Sequence, residues 1–298
     1  MIWLALLLVT LLGYANQRGS TCAVSAADEI IDQRSFHRLT GFLVAGSISA
    51  ALLFALGSAP RAVAAPGWAA MAGGAIGGLG AALNGRCSMG TIASLGRGRI
   101  DRLATLVGFF LGAVAVLDLL GLQAAVAVHD PAQSWVYGGL AGAVAGAAWY
   151  LARSRTTSSP GWMALIGFLN AVLAWPMVNW SYTGGLTRLA SGKDADIGAF
   201  LVFLAVLLAG SFWAALRAGT FQARRSLPRD WVRSALGGLM LGAGSALVPG
   251  SNDAMLLVGV PLVVPGLLQA YGSFWVALVL ARALRKIDWP KGEHGAEL

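Results

Sequence analysis

Charge is scarce in this chain of 298 residues. Asp, Glu, Lys and Arg together make up 11% of it, where soluble globular domains carry about 25%. That excludes the one or two soluble domains that the length alone would suit. Disorder is excluded too, because 57% of the residues are hydrophobic and a disordered chain needs low hydrophobicity. Cysteine is rarer still. Two residues, Cys22 and Cys87, cannot build a disulfide scaffold, and they form no CxxC redox pair. With three scattered histidines (His37, His129 and His294) they lack the spacing of a metal site. There is no nucleophile elbow, no HExxH and no Walker A, so neither an enzyme, a cofactor nor a nucleotide-driven pump is expected. The class that remains is an integral membrane protein.

What the chain does have is long apolar runs between clusters of charge. A helix needs about 20 mostly apolar residues to cross the hydrocarbon core. Nine candidate spans follow, at 1–15, 39–57, 67–83, 103–122, 134–152, 161–182, 197–217, 231–248 and 262–281. The runs lack the alternating polarity of a β-barrel, so the expected fold is all-α. Met1–Tyr14 has no basic residue before its apolar stretch and no cleavage site after it, so it reads as a retained first helix.

Lys and Arg give the orientation. Segments 16–38, 84–102, 153–160, 217–233 and 282–298 carry 18 of them, and the alternating segments carry 3. By the positive-inside rule the N-terminus of this multi-pass chain is outside and the C-terminus cytoplasmic. The pI near 10.2 then needs no nucleic acid. Arg224-Arg225 and Arg285-Lys286 read as anchors to inner-leaflet lipid.

The chain repeats itself. Gly73–Leu83 and Gly237–Leu247, 164 residues apart, share six of eleven positions: Gly73, Gly74, Gly78, Gly80, Ala82 and Leu83. The competing reading is two small-residue packing helices that match by chance. Each stretch, however, runs into a polar break. The first is Asn84-Gly85-Arg86-Cys87-Ser88-Met89-Gly90-Thr91, and the second is Val248-Pro249-Gly250-Ser251-Asn252-Asp253. The charge count gives the two helices opposite directions, which makes an inverted-topology repeat. Such repeats place substrate sites where broken helices meet. The expected division is 1–152 for the first repeat, 153–160 for a cytoplasmic linker, 161–285 for the second repeat and 286–298 for a tail. A weaker echo pairs Gly13-Tyr14-Ala15-Asn16 with Gly167-Phe168-Leu169-Asn170.

Both cysteines lie at breaks, Cys22 after the first helix and Cys87 after the third. The plain alternative is that each is a small buried hydrophobe. A thiol on a pore has a use, though. It is a weak donor on a soft, polarizable atom, and it holds a diffuse anion loosely enough to release it. Ser20, Thr21, Ser88, Thr91 and Ser251 extend a ladder of neutral donors, beside Asn84, Arg86, Asn252 and Asp253 in the breaks. Asp118 is the one acid inside a span, four residues from its outer end, where interfacial water explains it. Asp253 is better placed for a path, or caps a short helix.

The stretch Asn84–Gly98 resembles the YeeE/YedE family of sulfur-compound transporters. Asn16-Gln17-Arg18 leading to Cys22-Ala23-Val24 is similar to that family's first cysteine motif, and Val248–Asp253 to its second-half motif. The resemblance implies thiosulfate uptake across the bacterial inner membrane, by an hourglass-shaped helical protein with short re-entrant helices. It implies that Cys22 and Cys87 line the path and that Ser251 stands where the family has a third cysteine. It also implies a small cytoplasmic sulfurtransferase as partner. Two other readings stay open: a membrane-embedded, persulfide-forming enzyme, and a membrane subunit that needs a partner to transport.

Overall fold

The computed structural model describes residues 2–19, 21–56, 61–122, 126–129, 160–174, 181–192, 196–248 and 250–288, with helical backbone also at 142, 146 and 149. Twelve helices are ordered along it: α1 (Ile2–Arg18), α2 (Ala23–Gln33), α3 (His37–Ala55), α4 (Trp68–Asn84), α5 (Ser88–Gly96), α6 (Leu103–Val114), α7 (Pro160–Ala174), α8 (Tyr182–Ala190), α9 (Ile197–Arg217), α10 (Pro228–Leu247), α11 (Asn252–Ala254) and α12 (Pro265–Asp288). A 3-10 turn, Ile100–Arg102, leads into α6, and π-helical turns extend α6 and α11 over Ala115–Leu119 and Met255–Gly259. Among the described residues the one sheet is a short antiparallel ribbon, β1 (Arg61–Ala64) with β2 (Val126–His129), in which Arg61 pairs with His129.

The surface is apolar and the interior carries the polar groups. Trp3, Leu7, Phe54, Met71, Val107, Leu201, Trp213 and Val276 are exposed, while Asn84, Ser88, Thr91, Asp101, Asn170, Asn252 and Asp253 are buried. A soluble protein shows the reverse; this is a chain whose solvent is lipid. Among the described residues, four helical stretches are long and apolar enough to cross a membrane: His37–Ala55, Ile100–Leu119, Ile197–Arg217 and Pro265–Arg285. Pro228–Leu247 and Asn252–Gly259 form a bent pair that makes a fifth, turning by 51° at the second break.

The expected nine spans meet that structure unevenly. Span 134–152 lies outside the described residues. Helices α1, α4 and α7 have 17, 17 and 15 residues, short of the 20 or so that a full crossing takes. Span 161–182 is not one helix. Its helix is described as far as Ala174, and Ser181 has extended backbone (φ −147°, ψ 151°) as the N-cap of α8. The uncharged run was blind to this change of element, because Ser, Tyr, Thr and Gly break a helix without adding charge.

Glycine sets the helix spacing. A Cβ at Gly73 would lie 2.7 Å from the carbonyl oxygen of Gly244, and one at Gly80 2.9 Å from that of Gly237. Helices α4 and α10 therefore touch backbone to backbone, running antiparallel. On their other faces, a Cβ at Gly74 or Gly78 would strike the carbonyl oxygens of Ala270 or Phe274 in α12, and one at Gly238 or Gly242 those of Thr105 or Phe109 at α6. These pairs ascend together, so α4 is parallel to α12 and α10 to α6. Small residues permit this approach, and close packing replaces the hydrophobic drive that lipid does not supply.

Candidate functional site

Each Gly-rich helix stops at a left-handed glycine. Gly85 (φ +77°) follows α4 and Gly250 (φ +97°) follows α10, a conformation that costs a non-glycine residue dearly. The chain then re-enters the protein. Cys87 takes extended backbone as N-cap of α5, and its sulfur accepts from the Gly90 N–H at 3.5 Å. It also accepts from the Ala23 N–H at 3.2 Å, the first residue of α2. Cys22 is the N-cap of α2. The two thiols are within hydrogen-bonding reach of one another and both are free and buried. Gly90 is part of this arrangement, since a Cβ there would lie 2.6 Å from Cys22 Sγ. Thr21 sits beside the pair, donating to the Asn16 side-chain and main-chain oxygens.

The second break faces the first. Ser251 caps α11, and its N–H donates to Thr183 Oγ1 at 3.1 Å. Thr183 Oγ1 donates onward to Asp253 Oδ1. Asn252 Oδ1 accepts from the Ser88 N–H at 3.2 Å and from Ser88 Oγ at 2.6 Å. Ser88 and Asn252 are separated by 164 residues, the offset of the sequence repeat, so positions that the repeat makes equivalent touch each other. Tyr182 Oη donates to the Ser88 carbonyl at 2.6 Å, which ties α8 to the start of α5.

Beside this cluster is a cavity of about 40 Å³, lined by Leu12, Asn16, Met89, Ile92, Asn170, Ser181, Tyr182, Leu207, Asp253 and Leu257. That volume holds about three or four waters at roughly 10–15 Å³ each, so a polyatomic anion needs the walls to move. Two asparagines frame it in matching ways. Asn16 donates to the Met89 carbonyl at 3.0 Å and Asn170 to the Leu257 carbonyl at 2.6 Å, each satisfying backbone on the broken helix of its own half.

Of the residues expected at the path, Cys22, Cys87, Thr21, Ser251, Asn252 and Asp253 come together here. Ser20 lies outside the described residues. Asn84, Arg86 and Thr91 belong to the framework around it. Thr91 Oγ1 donates to the Cys87 carbonyl at 3.0 Å, and Arg86 donates to Ser25 at 3.1 Å. Asn84 is fully buried and accepts on Oδ1 from Arg102 at 2.7 Å and Thr105 at 3.0 Å. Arg102 also donates to the Asn84 carbonyl at 2.6 Å, Arg233 to that of Leu83, and Arg285 to that of Ala82 at 3.2 Å. Three arginines from three elements thus close the last turn of α4, where unpaired carbonyls and the helix dipole favour cations. Asp118 is exposed on its π-turn, as interfacial placement requires.

Sequence reasoning missed Ser181, Tyr182 and Thr183 as site residues. The signal was the weak echo of Asn16 in Asn170. Followed onward, it leads from each asparagine to a short helix capped by a small polar residue, Cys22 in one half and Ser181 in the other.

Comparison with known proteins supplies the family. A family model described as sulphur transport matches residues 18–124 and 120–280. The chain belongs to the YeeE/YedE sulphur-transport family. The matched residues take in both breaks, both cysteines and the α8 cap. A comparison with curated proteins found no match.

Proposed function

We propose that this family member is a permease for thiosulfate or a related sulfur oxyanion. The observation that carries the reading is the meeting, inside an apolar protein, of two broken helices with two thiols and a set of hydroxyl and amide donors (Cys22, Cys87, Ser88, Thr183, Asn252). Every donor at this centre is neutral, which suits a solute that must also leave. The antiparallel contact of α4 with α10, the Ser88–Asn252 pair and the family match in two segments all support an inverted repeat, with halves at 1–152 and 161–285. The parallel runs of α4 with α12 and of α6 with α10 agree with the alternation read from Lys and Arg. We accordingly place the N-terminus outside and the C-terminus in the cytoplasm of an inner membrane, where a small sulfurtransferase would consume the product.

The test is uptake of 35S-thiosulfate by bacterial cells without their own importers, expressing wild type, Cys87→Ala or Ser251→Cys, with membrane expression verified for each. Wild type takes up label and Cys87→Ala loses at least tenfold of it. A wild-type protein present in the membrane and inert toward thiosulfate would sink the proposal for this anion. One observation favours a second reading, a persulfide-forming thiol: Cys87 Sγ lies against the backbone N–H groups of Ala23 and Gly90, next to the residue that follows Cys22. The complete burial of Cys87 speaks against access. Alkylation of Cys87 in the folded protein by a small maleimide at neutral pH would reverse that judgement.

A further inference from the structure

Asp253 is a carboxyl in a place where charge is costly. It is 4% exposed, it borders the cavity, and it belongs to a broken helix deep in an apolar protein. Its partners are hydroxyls: Thr183 Oγ1 donates to Oδ1, and Ser88 Oγ lies at 3.4 Å from the same atom. Backbone N–H groups of Thr183 and Ala254 also face it. Among the described residues no cation pairs with it. Among the described side chains, the titratable groups on the elements packed against it are Cys87 at the start of α5, Tyr182 and Arg188 on α8, and Tyr271, Arg282 and Arg285 on α12. Arg188 is exposed, Arg282 pairs with Asp28 at 2.7 Å and Arg285 donates to the Ala82 carbonyl. The intramembrane ionisable residue is thus left with neutral neighbours, a pattern that marks proton relays.

The donors around this carboxylate are those that an oxyanion would want. Asp253 occupies them with its own charge, and an incoming anion meets both a filled site and a like charge. Protonation removes both obstacles at once. The carboxyl loses its charge, and the Thr183 hydroxyl is no longer held by a carboxylate and can turn to the incoming anion. We propose that Asp253 binds one proton for each anion that passes, taking it from water on the outer side and returning it to water on the inner side, so that the two cross together. This rests on the transport reading above. It lowers the charge carried inward with a thiosulfate dianion from two to one, and adds the pH gradient to an uptake that the negative interior opposes.

The test uses the purified full-length protein in liposomes that hold an entrapped pH dye, with the potential clamped at zero by potassium and valinomycin. External 35S-thiosulfate is added, and label and internal pH are followed together. We expect about one proton to enter per label, by the one-carboxyl stoichiometry, and uptake severalfold faster at external pH 6 than at pH 8. Asp253→Asn, which holds the site permanently neutral, brings the proton-to-label ratio to zero and makes any remaining uptake indifferent to pH. Wild-type entry of label without acidification overturns the coupling and leaves transport standing. An unchanged ratio in Asp253→Asn overturns the assignment to this residue. No label in wild-type vesicles overturns the transport reading, and the coupling with it. Should Asp253→Asn fail to insert, Thr183→Val decides the assignment. Loss of a donor to the charged form makes protonation easier, so the pH of half-maximal uptake rises; an unmoved midpoint overturns it.

Discussion

Gly90→Ala adds one methyl where the structure has no room for it. The new Cβ would lie 2.6 Å from Cys22 Sγ and 3.0 Å from Cys22 Cβ. Nonbonded carbon contacts settle at about 3.5–4.0 Å, so roughly 1 Å must be found. Neither side gives way easily. Gly90 is in the first turn of α5, Cys22 caps α2, and both are buried. Overpacking of this kind costs about 1–3 kcal/mol. The decisive experiment is a double-mutant cycle on heat-induced unfolding of the detergent-solubilised protein, with uptake as a second readout. Cys22→Ala removes the sulfur and leaves only the 3.0 Å contact, which a few tenths of an ångström relieve. The methyl should therefore cost much less in that background, giving a coupling of about 1–2 kcal/mol between neighbours. Uptake should fall in Gly90→Ala without returning in the double variant, because the thiol is gone. A Gly90→Ala protein as stable as wild type, or equally destabilised with and without the sulfur, would show that Cys22 does not fill the space above Gly90.

Other outcomes follow from the same geometry. Asn84→Leu strips the buried Arg102 guanidinium and Thr105 of their Oδ1 acceptor; Arg102 keeps Asp101, so the loss of a hydrogen bond to a charged group costs about 1.5–3 kcal/mol, read as a lowered melting temperature of the solubilised protein. Gly242→Val drives a branched side chain into the Phe109 carbonyl, and should abolish folded protein where the lipid-facing Leu239→Val does not. Asn252→Ala leaves Ser88 without its acceptor at the meeting of the two breaks; uptake should drop about tenfold, the worth of a 1–2 kcal/mol buried hydrogen bond, with expression retained. Asp28→Asn loosens the partly exposed Arg282 pair at 2.7 and 2.8 Å and should cost no more than about 1 kcal/mol in the same melts.

The parts that were legible in the sequence are those whose residue type has one physical use. Gly73, Gly78, Gly80, Gly238 and Gly242 announced close helix contacts, and each meets a neighbouring backbone. The breaks were legible because Gly85 and Gly250 stand next to polar residues that no lipid-facing helix would carry. Two things were not legible. Polarity at a break does not tell a residue that faces the path from one that holds the break together, so Asn84 and Arg86 read as path residues, while the structure commits them to Arg102, Thr105 and Ser25. Nor does an uncharged run reveal where one helix stops and another starts. Ser181 and Tyr182 were absorbed into the span 161–182, with Thr183 left just beyond its end, because hydroxyl groups cost a helix little on any charge count. Their role shows only when Thr183 is found between Ser251 and Asp253, a contact that joins residues 68 and 70 positions apart.

The distribution of arginine argues for what the centre handles. The chain has cations to spare at +8, yet none among the described residues lines the cavity. Arg102, Arg233 and Arg285 are spent on the carbonyls that end α4, and Arg282 on Asp28. Two unit charges 4 Å apart attract by about 4 kcal/mol at an effective dielectric of 20, and a dianion roughly doubles that. Each 1.4 kcal/mol slows release about tenfold, so a single guanidinium on the path would hold a dianion for thousands of times longer than neutral groups would. A neutral hydrogen bond contributes a net 0.5–1.5 kcal/mol or so. On the transport reading proposed above, three or four such bonds from Cys87, Ser88, Thr183 and Asn252 would recognise an anion and still let it go. Arg102, Arg233 and Arg285 hold the helix end that presents those donors, and the one charge retained at the centre, on Asp253, is the one that a proton can remove.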